Sequence, residues 1–329
     1  MKRKNFLAQG ILIGAGLVGG CTVAHAEIEL GVDAGFRTDE LIWSIPGEFV
    51  GRDNNYYRQN IVSELTWKNV KSDYLSGYGV FRDRQFVVRG DIGYGRIKSG
   101  DNQDSDYRGN NRTQEFSRSI NKSNGDHVSD VKISFGLDFG LMPDEVRGPR
   151  LQLTPRVGIS SHVQSLRMTN LRQTVSQPQY APMGVTPPAV GSYGGLNSSY
   201  EARWSGPWFG GDARYHVNDK ISLRAEFEYH QAAYSAEANW NLRSDLAHPK
   251  SFAHSADGDG QVWRLGAEMA LINQARISFS ITSQEWTTGK GTDRFYFADG
   301  TSALGILNAV KWRSQAYLLG FQMPFNPPH

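Results

Sequence analysis

The run "GDNQDSDY" at residues 100–107 concentrates aspartates that could do chemistry. It contains Asp101, Asp104 and Asp106, and the last two are separated by one residue. On an extended strand, residues i and i+2 project from the same face, so Asp104 and Asp106 would lie side by side. Two close carboxyl groups raise the pKa of one of them and share a proton, which allows the pair to position and polarise a water molecule. The run therefore predicts either such a pair or a solvated loop tip.

A second group of chemically capable residues lies in "SDLAHPKSFAH", which offers Asp245, His248 and His254. A carboxylate that orients an imidazole makes that imidazole an effective general base toward water. A bulge or insertion would bring Asp245 and His248 to the rim of a strand. The alternative is that these histidines only form hydrogen bonds within a loop.

Metal-binding patterns are incomplete. The runs "DNQDSD" and "ADGDG" have alternating carboxylates, but neither continues to the closing glutamate of an EF-hand loop. The histidines do not form a zinc-like cluster with the nearby aspartates. The sequence predicts neither a metal site nor a cofactor.

The first 26 residues, "MKRKNFLAQGILIGAGLVGGCTVAHA", have the form of a secretory signal peptide. A basic start precedes a short apolar run and a small-residue "AHA" ending, and the apolar run is too short to span a bilayer. The predicted organisation is a signal peptide over 1–26 and one domain over 27–329. A lipoprotein signal that uses Cys21 is the alternative.

Cleavage after Ala26 would remove three positive charges and the single cysteine, which changes the formal net charge from +2 to −1. No disulfide or thiol chemistry would remain. A near-neutral chain without a clustered basic face also argues against a nucleic-acid partner.

Alternation of apolar and polar residues dominates the rest of the sequence. In "ISLRAEFEYH" (221–230) the odd positions are apolar or aromatic and the even positions polar, as in a strand with two different faces. Ten such segments are predicted, near 28–41, 61–81, 85–99, 126–140, 149–171, 200–218, 220–242, 260–272, 275–289 and 306–323.

The connections between these segments alternate in length. Short turns are predicted at 82–84, 142–149, 218–219 and 273–274, and long polar loops near 42–60, 100–125, 172–199, 243–259 and 290–305. An even number of strands with this alternation is typical of an outer-membrane barrel. The predicted fold is all-β, a ten-stranded antiparallel transmembrane β-barrel with short periplasmic turns and long extracellular loops.

A soluble β-sandwich is the alternative fold, but its strands of about 5–6 residues would be much shorter than these segments. In the barrel, charged faces would line the lumen and apolar faces would contact lipid. Segments this long exceed the roughly 9–11 residues that cross lipid, so the barrel should project beyond the membrane.

Several segments resemble the omptin family of outer-membrane endopeptidases. These are "LGVDAGFRTDELIW" (30–43), "IVSELTWKNVKSDYLSGYGVF" (61–81), "QFVVRGDIGYGRIKSGDNQDSDY" (85–107), and the final "SITSQEWTTGKGTDRFYFADG" and "KWRSQAYLLGFQMPF". In omptins, two aspartates on one rim and an Asp/His pair across a groove flank the attacking water. The resemblance assigns the first pair to Asp104 and Asp106.

The resemblance also implies a substrate pocket and a lipid partner. Glu40 matches the first-strand glutamate of the pocket that accepts basic residues; the alternative is an ordinary charged rim residue. The ungapped position of the Asp-x-His motif reads Asn239, Trp240 and Asn241, so Asp245 and His248 are the candidates for that pair. Omptins bind lipopolysaccharide, which implies that this lipid could be an activating partner here.

Three functions remain open at the level of sequence, all at the bacterial outer membrane with the loops extracellular. The first is an omptin-type endopeptidase that cleaves peptides or proteins near basic residues through activated water. The second is a non-catalytic surface protein, an adhesin or structural barrel with a degenerate site. The third is a pore, although ten strands enclose a narrow interior that charged side chains would largely fill.

Overall fold

A computed structural model describes residues 26–50, 56–144 and 148–325. The predicted signal peptide lies almost entirely outside the described residues. The strands are β1 (Ala26–Val50), β2 (Tyr56–Asp83), β3 (Phe86–Tyr107), β4 (Glu115–Ser123), β5 (His127–Leu137), β6 (Phe139–Asp144), β7 (Gly148–Ser176), β8 (Gly191–Tyr193), β9 (Ser198–His216), β10 (Ile221–Asn239), β11 (Phe252–Ala270), β12 (Arg276–Thr288), β13 (Gly291–Tyr296), β14 (Ser302–Leu307) and β15 (Ala309–Phe325). Two single-turn 3₁₀ helices lie at Asn110–Arg112 and Ile272–Gln274.

The strands close into an antiparallel ring with ten positions. The order around the wall is β1, β2, β3, then β4 with β5 and β6, then β7, β9, β10, β11, then β12 with β13, and finally β14 with β15. β1 pairs with β15 from Ile28↔Phe325 to Ser44↔Ala309, which closes the ring. The predicted ten-stranded barrel is confirmed.

Outward-facing apolar side chains form a belt at the end of the barrel that carries the short turns. On β3 the belt runs from Phe86 to Tyr94, and on β15 from Tyr317 to Phe325, nine residues each. This length matches the roughly 9–11 residues with which a tilted strand crosses lipid. None of the helical turns in the described residues has the length and apolarity of a membrane span.

The longest strands continue far beyond the belt. β2 has 28 residues and β7 has 29, so the wall extends well into the extracellular space. Here the structure corrects the predicted loops. Residues 100–107 prolong β3, residues 115–123 form β4, β11 begins at Phe252, and β13 and β14 make a hairpin within the predicted loop 290–305.

Aromatic side chains fill the interior just above the belt. This aromatic layer consists of Trp43, Trp67, Tyr200, Trp204, Tyr234, Phe252, Trp286 and Trp312. Trp286 and Trp312 stack with ring centroids 5.2 Å apart, and both are almost completely buried. Burial of rings this large supplies a hydrophobic core inside the barrel.

Buried ion pairs fill the interior below the aromatic layer. They include Arg89 with Asp91 at 2.7 Å, Lys132 with Glu228 at 2.7 Å, and Arg224 with Glu226 at 2.9 Å. Two internal cavities among these side chains measure only about 60 and 20 Å³. Each has room for no more than a few water molecules.

Candidate functional site

The acid pair lies on the inner face of the extracellular part of β3. Asp104 stands ten residues above Tyr94 at the top of the lipid belt, about 30 Å along the strand. In the sheet it faces Leu65 of β2 and Ser119 of β4, while Asp106 faces Ser63 and Ser117. The predicted i, i+2 arrangement thus occurs within a strand and not at a loop tip.

Both carboxyl groups are half-buried on the inner side of the extracellular wall, which we call the groove. Burial, together with the neighbouring charge of Asp106, raises the pKa of Asp104 well above its ordinary value. Burial raises the pKa of Asp106 to about 6, although the hydroxyl groups of Ser63 and Ser117 partly offset this by hydrogen bonding to the ionised form. The pKa of both carboxyl groups is therefore raised, and for Asp104 the charge of Asp106 adds to the effect of burial.

Arg243, in the loop that follows β10, is the cation that acts on this pair. Its guanidinium lowers the pKa of both Asp104 and Asp106, although burial outweighs it. The same guanidinium holds both oxygens of Asp245, with Nε to Oδ1 at 2.8 Å and Nη2 to Oδ2 at 2.7 Å. Arg243 and Asp245 are more than half exposed, so this ion pair contributes little and can open readily.

His248 is brought back to the end of β10 by the same loop. Its Nδ1 lies 2.8 Å from the side-chain oxygen of Asn239, the residue at the ungapped Asp-x-His position. Asp245 is bound to Arg243, so the predicted Asp245–His248 couple is replaced by an Arg243–Asp245 pair and an Asn239–His248 pair. His248 is exposed at the rim.

Asn241 has a structural role in this loop. Its side-chain nitrogen donates to the Gly195 carbonyl at 2.7 Å, and its side-chain oxygen accepts from the Asn197 backbone N–H at 2.8 Å. These bonds join the loop after β10 to the long loop that precedes β9. An aspartate pair on β3 and a histidine in the loop after β10 are thus present, while the Asp-x-His position has no carboxylate.

Glu40 does not occupy the expected pocket position. Along β1 the pairing with β15 is unshifted, and Asp39 and Leu41 point inward by ordinary alternation, so Glu40 between them points outward and is exposed. The register shift with β2 at this level belongs to β2, which has one extra residue between Trp67 and Val70. The inward acid, Asp39, is already bound by Arg37 and by the indole N–H of Trp312 at 2.8 Å. The interpretation of Glu40 as a buried pocket acid is therefore corrected to that of a charged residue on the outer wall.

Comparison with models of known protein families identifies the family to which this chain belongs. The family model described as Pom, Protochlamydia outer membrane protein, matches residues 31–325. The chain belongs to the Protochlamydia outer membrane protein family. A comparison with curated proteins gave no match.

Among solved structures, this Protochlamydia outer membrane protein family member is similar to the outer-membrane protease OmpT from Escherichia coli. The two share 14% sequence identity and a TM-score of 0.70, and the alignment covers 91% of this chain and 97% of OmpT. A FadL homologue from Pseudomonas aeruginosa (9% identity, 91% and 90% coverage) and the translocator domain of the autotransporter NalP from Neisseria meningitidis (9%, 90% and 88%) give TM-scores of only 0.28 and 0.35. The resemblance to omptins is confirmed for the fold, and the location in the outer membrane is confirmed.

His254 lies on a strand, although the sequence predicts a loop over residues 243–259. It lies on β11, is almost fully buried, and its Nδ1 is 2.9 Å from the hydroxyl of Tyr200. Its Nε2 is 3.3 Å from Asp293, and Tyr200 in turn contacts the Tyr234 hydroxyl at 2.5 Å. These buried polar contacts stabilise the aromatic layer, to which Tyr200 and Tyr234 belong. The contact between His254 and Asp293 could not be predicted from the sequence, because 38 residues lie between them.

The acidic runs do not converge on an ion site. Among the described residues, no three or more His, Cys, Asp or Glu side chains are grouped so that they could hold a metal ion. Asp101 points away from Asp104 and Asp106, toward Lys122 at 2.6 Å. The chemistry available on this wall is therefore that of two adjacent carboxyl groups whose pKa values are raised.

Proposed function

We propose that this outer-membrane barrel is a surface endopeptidase whose Asp104 and Asp106 activate a water molecule in the extracellular groove. The observation that carries the proposal is the position of two carboxyl groups side by side on the inner face of β3, where burial raises the pKa of both. One group is then available as a base and the other as an acid at the same pH.

In the proposed reaction, ionised Asp106 accepts a proton from water as the oxygen of that water attacks the peptide carbonyl carbon. Protonated Asp104 donates a hydrogen bond to the carbonyl oxygen, where negative charge develops. The tetrahedral intermediate then collapses with cleavage of the C–N bond, and the proton held by Asp106 passes to the leaving nitrogen. Water is the only co-reactant, and no covalent enzyme intermediate forms.

The position of Arg243 supports a preference for basic peptides. This exposed guanidinium already acts on the acid pair, so the arginine or lysine of a peptide meets the same attraction when the Arg243–Asp245 pair swings aside. We propose that the acid pair itself attracts the basic residue of the peptide. The omptin resemblance implies this role for a pocket that contains Glu40. Lipopolysaccharide is proposed as the lipid that activates the barrel.

The test uses refolded protein, with and without lipopolysaccharide, and a fluorogenic peptide with one central arginine. Asp104→Asn and Asp106→Asn should each lower kcat/KM by at least about 100-fold, the size expected for loss of a general acid or base. Asp101→Asn is the matched control, because Asp101 lies on the same strand but faces outward. Equal turnover by Asp106→Asn and Asp101→Asn would refute the proposal.

His248→Gln separates two versions of the mechanism. If His248 takes the proton from water, this variant loses activity to the same degree as the aspartate variants. If the acid pair acts alone, the variant keeps activity within a few fold, because the exposed imidazole then only borders the groove.

The second candidate is a non-catalytic surface barrel. The specific observation that favours it is the replacement of the Asp-x-His residues by Asn239 and Asn241, neither of which titrates in the relevant range. In that case the groove binds basic peptides and leaves them intact. Retention of a labelled arginine peptide that elutes uncleaved after long incubation would identify this function.

A further inference from the structure

The extracellular wall is open between β1 and β14. Pairing between β1 and β15 ends at Ser44↔Ala309. One further hydrogen bond follows, from the Asn308 backbone N–H to the Ser44 carbonyl at 3.0 Å. Above this level both strands continue, β1 toward Val50 and β14 back to Ser302. Among the described residues, β14 pairs only with β13, and β1 pairs there only with β2.

The side of β14 that faces the opening carries unpaired backbone groups. The turn bond from the Phe297 N–H to the Thr301 carbonyl, together with the register, shows that odd-numbered residues of β14 bond to β13. Ser302, Leu304 and Ile306 therefore direct their N–H and C=O groups to the open side. No described residue bonds to these groups, which leaves an edge of six residues, about 20 Å long, exposed for pairing.

The start of the opening is fixed by the sequence. Pro46 has no backbone N–H, so β1 lacks one of the donors that would continue the ladder, and the pairing with β2 is shifted between Ile45 and Gly47. Asn308 closes the lower end, because its side-chain nitrogen donates to the Asn60 carbonyl at 2.7 Å. The opening is thus closed at its end nearer the membrane and open at its extracellular end.

Side chains next to the edge indicate what would fit. Leu304 and Ile306 are 65% and 47% exposed on one face of β14, and exposed apolar side chains beside an unpaired edge favour an added strand. Arg294, directly opposite Leu304, is exposed, and no acid of the described residues forms an ion pair with it. An acidic side chain on an added strand would complement this charge.

We propose that the edge of β14 binds an extended polypeptide segment by strand addition, one with alternating apolar residues and, on the same face, an acidic residue that reaches across Leu304 of β14 toward Arg294. The bound segment forms backbone hydrogen bonds with Ser302, Leu304 and Ile306, which supply affinity, and the side chains supply selection. The lower end of this edge lies at the level of Asp106, three strand spacings or about 14 Å around the wall. The site does not require hydrolysis, so it stands or falls independently of the proposed endopeptidase.

The test measures binding of a fluorescent peptide, Val-Thr-Asp-Thr-Val-Thr, by anisotropy; its aspartate lies on the same face as its valines. The protein is the refolded barrel with Asp104→Asn and Asp106→Asn, which prevents cleavage. The control peptide has the same side chains but carries N-methyl groups on alternate residues, so one of its edges cannot pair. The proposal predicts that the unmodified peptide binds at least about tenfold more tightly, and that the amides of Leu304 and Ile306 gain protection from hydrogen exchange.

Protein variants locate the site. Leu304→Pro removes one outward donor and no bond to β13, whereas Leu304→Ala keeps that donor, so the proline variant should lose at least about tenfold more affinity than the alanine variant. Equal binding of the unmodified and N-methylated peptides, or no binding of the unmodified peptide at about 1 mM, would overturn the proposal. The comparison of the two peptides uses a barrel in which β14 is unchanged. Dimerisation through this edge, blocked by Leu304→Pro, would also overturn it by showing that a second copy is the occupant.

Discussion

Asp104 and Asp106 combine desolvation with access to the groove. Their directly paired neighbours in the sheet are small or apolar, namely Ser63, Leu65, Ser117 and Ser119, so none of these paired residues neutralises them. Spacing alone could predict the pair, because i, i+2 positions of any strand share a face. The opposing Arg243 could not be predicted, since it is placed by a loop whose path depends on tertiary bonds such as those of Asn241.

Peptide cleavage should depend on pH in a bell-shaped way. The rising limb reports ionisation of Asp106 near pH 6, and the falling limb reports loss of the proton from Asp104, whose pKa is raised well above the ordinary value. Initial rates with the arginine peptide between pH 4 and pH 10 measure both limbs. A rate that rises steadily to pH 10 would contradict the need for a protonated Asp104.

Asp104→Asn should stabilise the folded barrel at neutral and alkaline pH. A raised carboxyl pKa means that the folded state binds the proton more tightly than the unfolded state, so stability falls as pH rises from the unfolded pKa through the folded one. Asparagine cannot lose this proton, and the gain should therefore be present at pH 8 and absent at pH 4. Urea-unfolding midpoints at the two pH values test this, and a loss of stability at pH 8 would contradict it.

The strands follow from sequence wherever lipid faces one side of the wall. There the outer residues are apolar and the inner ones polar, so the alternation is plain, as on β10. Above the belt, water contacts the outer face and the pattern disappears, which is why the upper part of β3 and all of β4 were predicted as loop. The outward orientation of Glu40 follows from the same alternation, because Asp39 and Leu41 on either side of it point inward; the pocket role of Glu40 came from the family resemblance and not from this pattern.

Gly35 tests the packing of the closing strands. A Cβ added there would lie 1.9 Å from the backbone carbonyl oxygen of Tyr317, so β1 and β15 would have to separate. Gly35→Ala should lower the free energy of unfolding by about 1–3 kcal/mol. Gly90→Ala on β3, where the added Cβ meets nothing within 4 Å, is the matched control and should change nothing or add up to about 1 kcal/mol.

Tryptophan fluorescence during urea unfolding in lipid vesicles measures both glycine variants. Equal stability of the Gly35 and Gly90 variants would contradict the close approach of β1 and β15.

The molecule as a whole is a filled barrel. Stacked rings such as Trp286 and Trp312 occupy its interior above the membrane, and ion pairs occupy it within the membrane. Ten strands enclose little space, and the two cavities found among the described residues of this lower region measure about 60 and 20 Å³. This arrangement favours a function on the extracellular surface.

The refolded protein should therefore form no steady channel. Planar bilayer recordings should show no stepwise conductance, because solutes would have to displace both the aromatic layer and the ion pairs. Regular single-channel steps that persist in a purified, fully folded sample would contradict the filled interior.

The most direct test of the proposed catalysis is cleavage of an arginine peptide in H₂¹⁸O, followed by mass spectrometry. Folded protein with lipopolysaccharide should yield two fragments, and the new carboxyl terminus should carry one ¹⁸O because water attacks the carbonyl carbon. The Asp104→Asn, Asp106→Asn double variant should yield none, while Asp101→Asn should match the wild type. An intact peptide after prolonged incubation with the folded wild-type barrel would contradict the assignment of Asp104 and Asp106 as a hydrolytic pair.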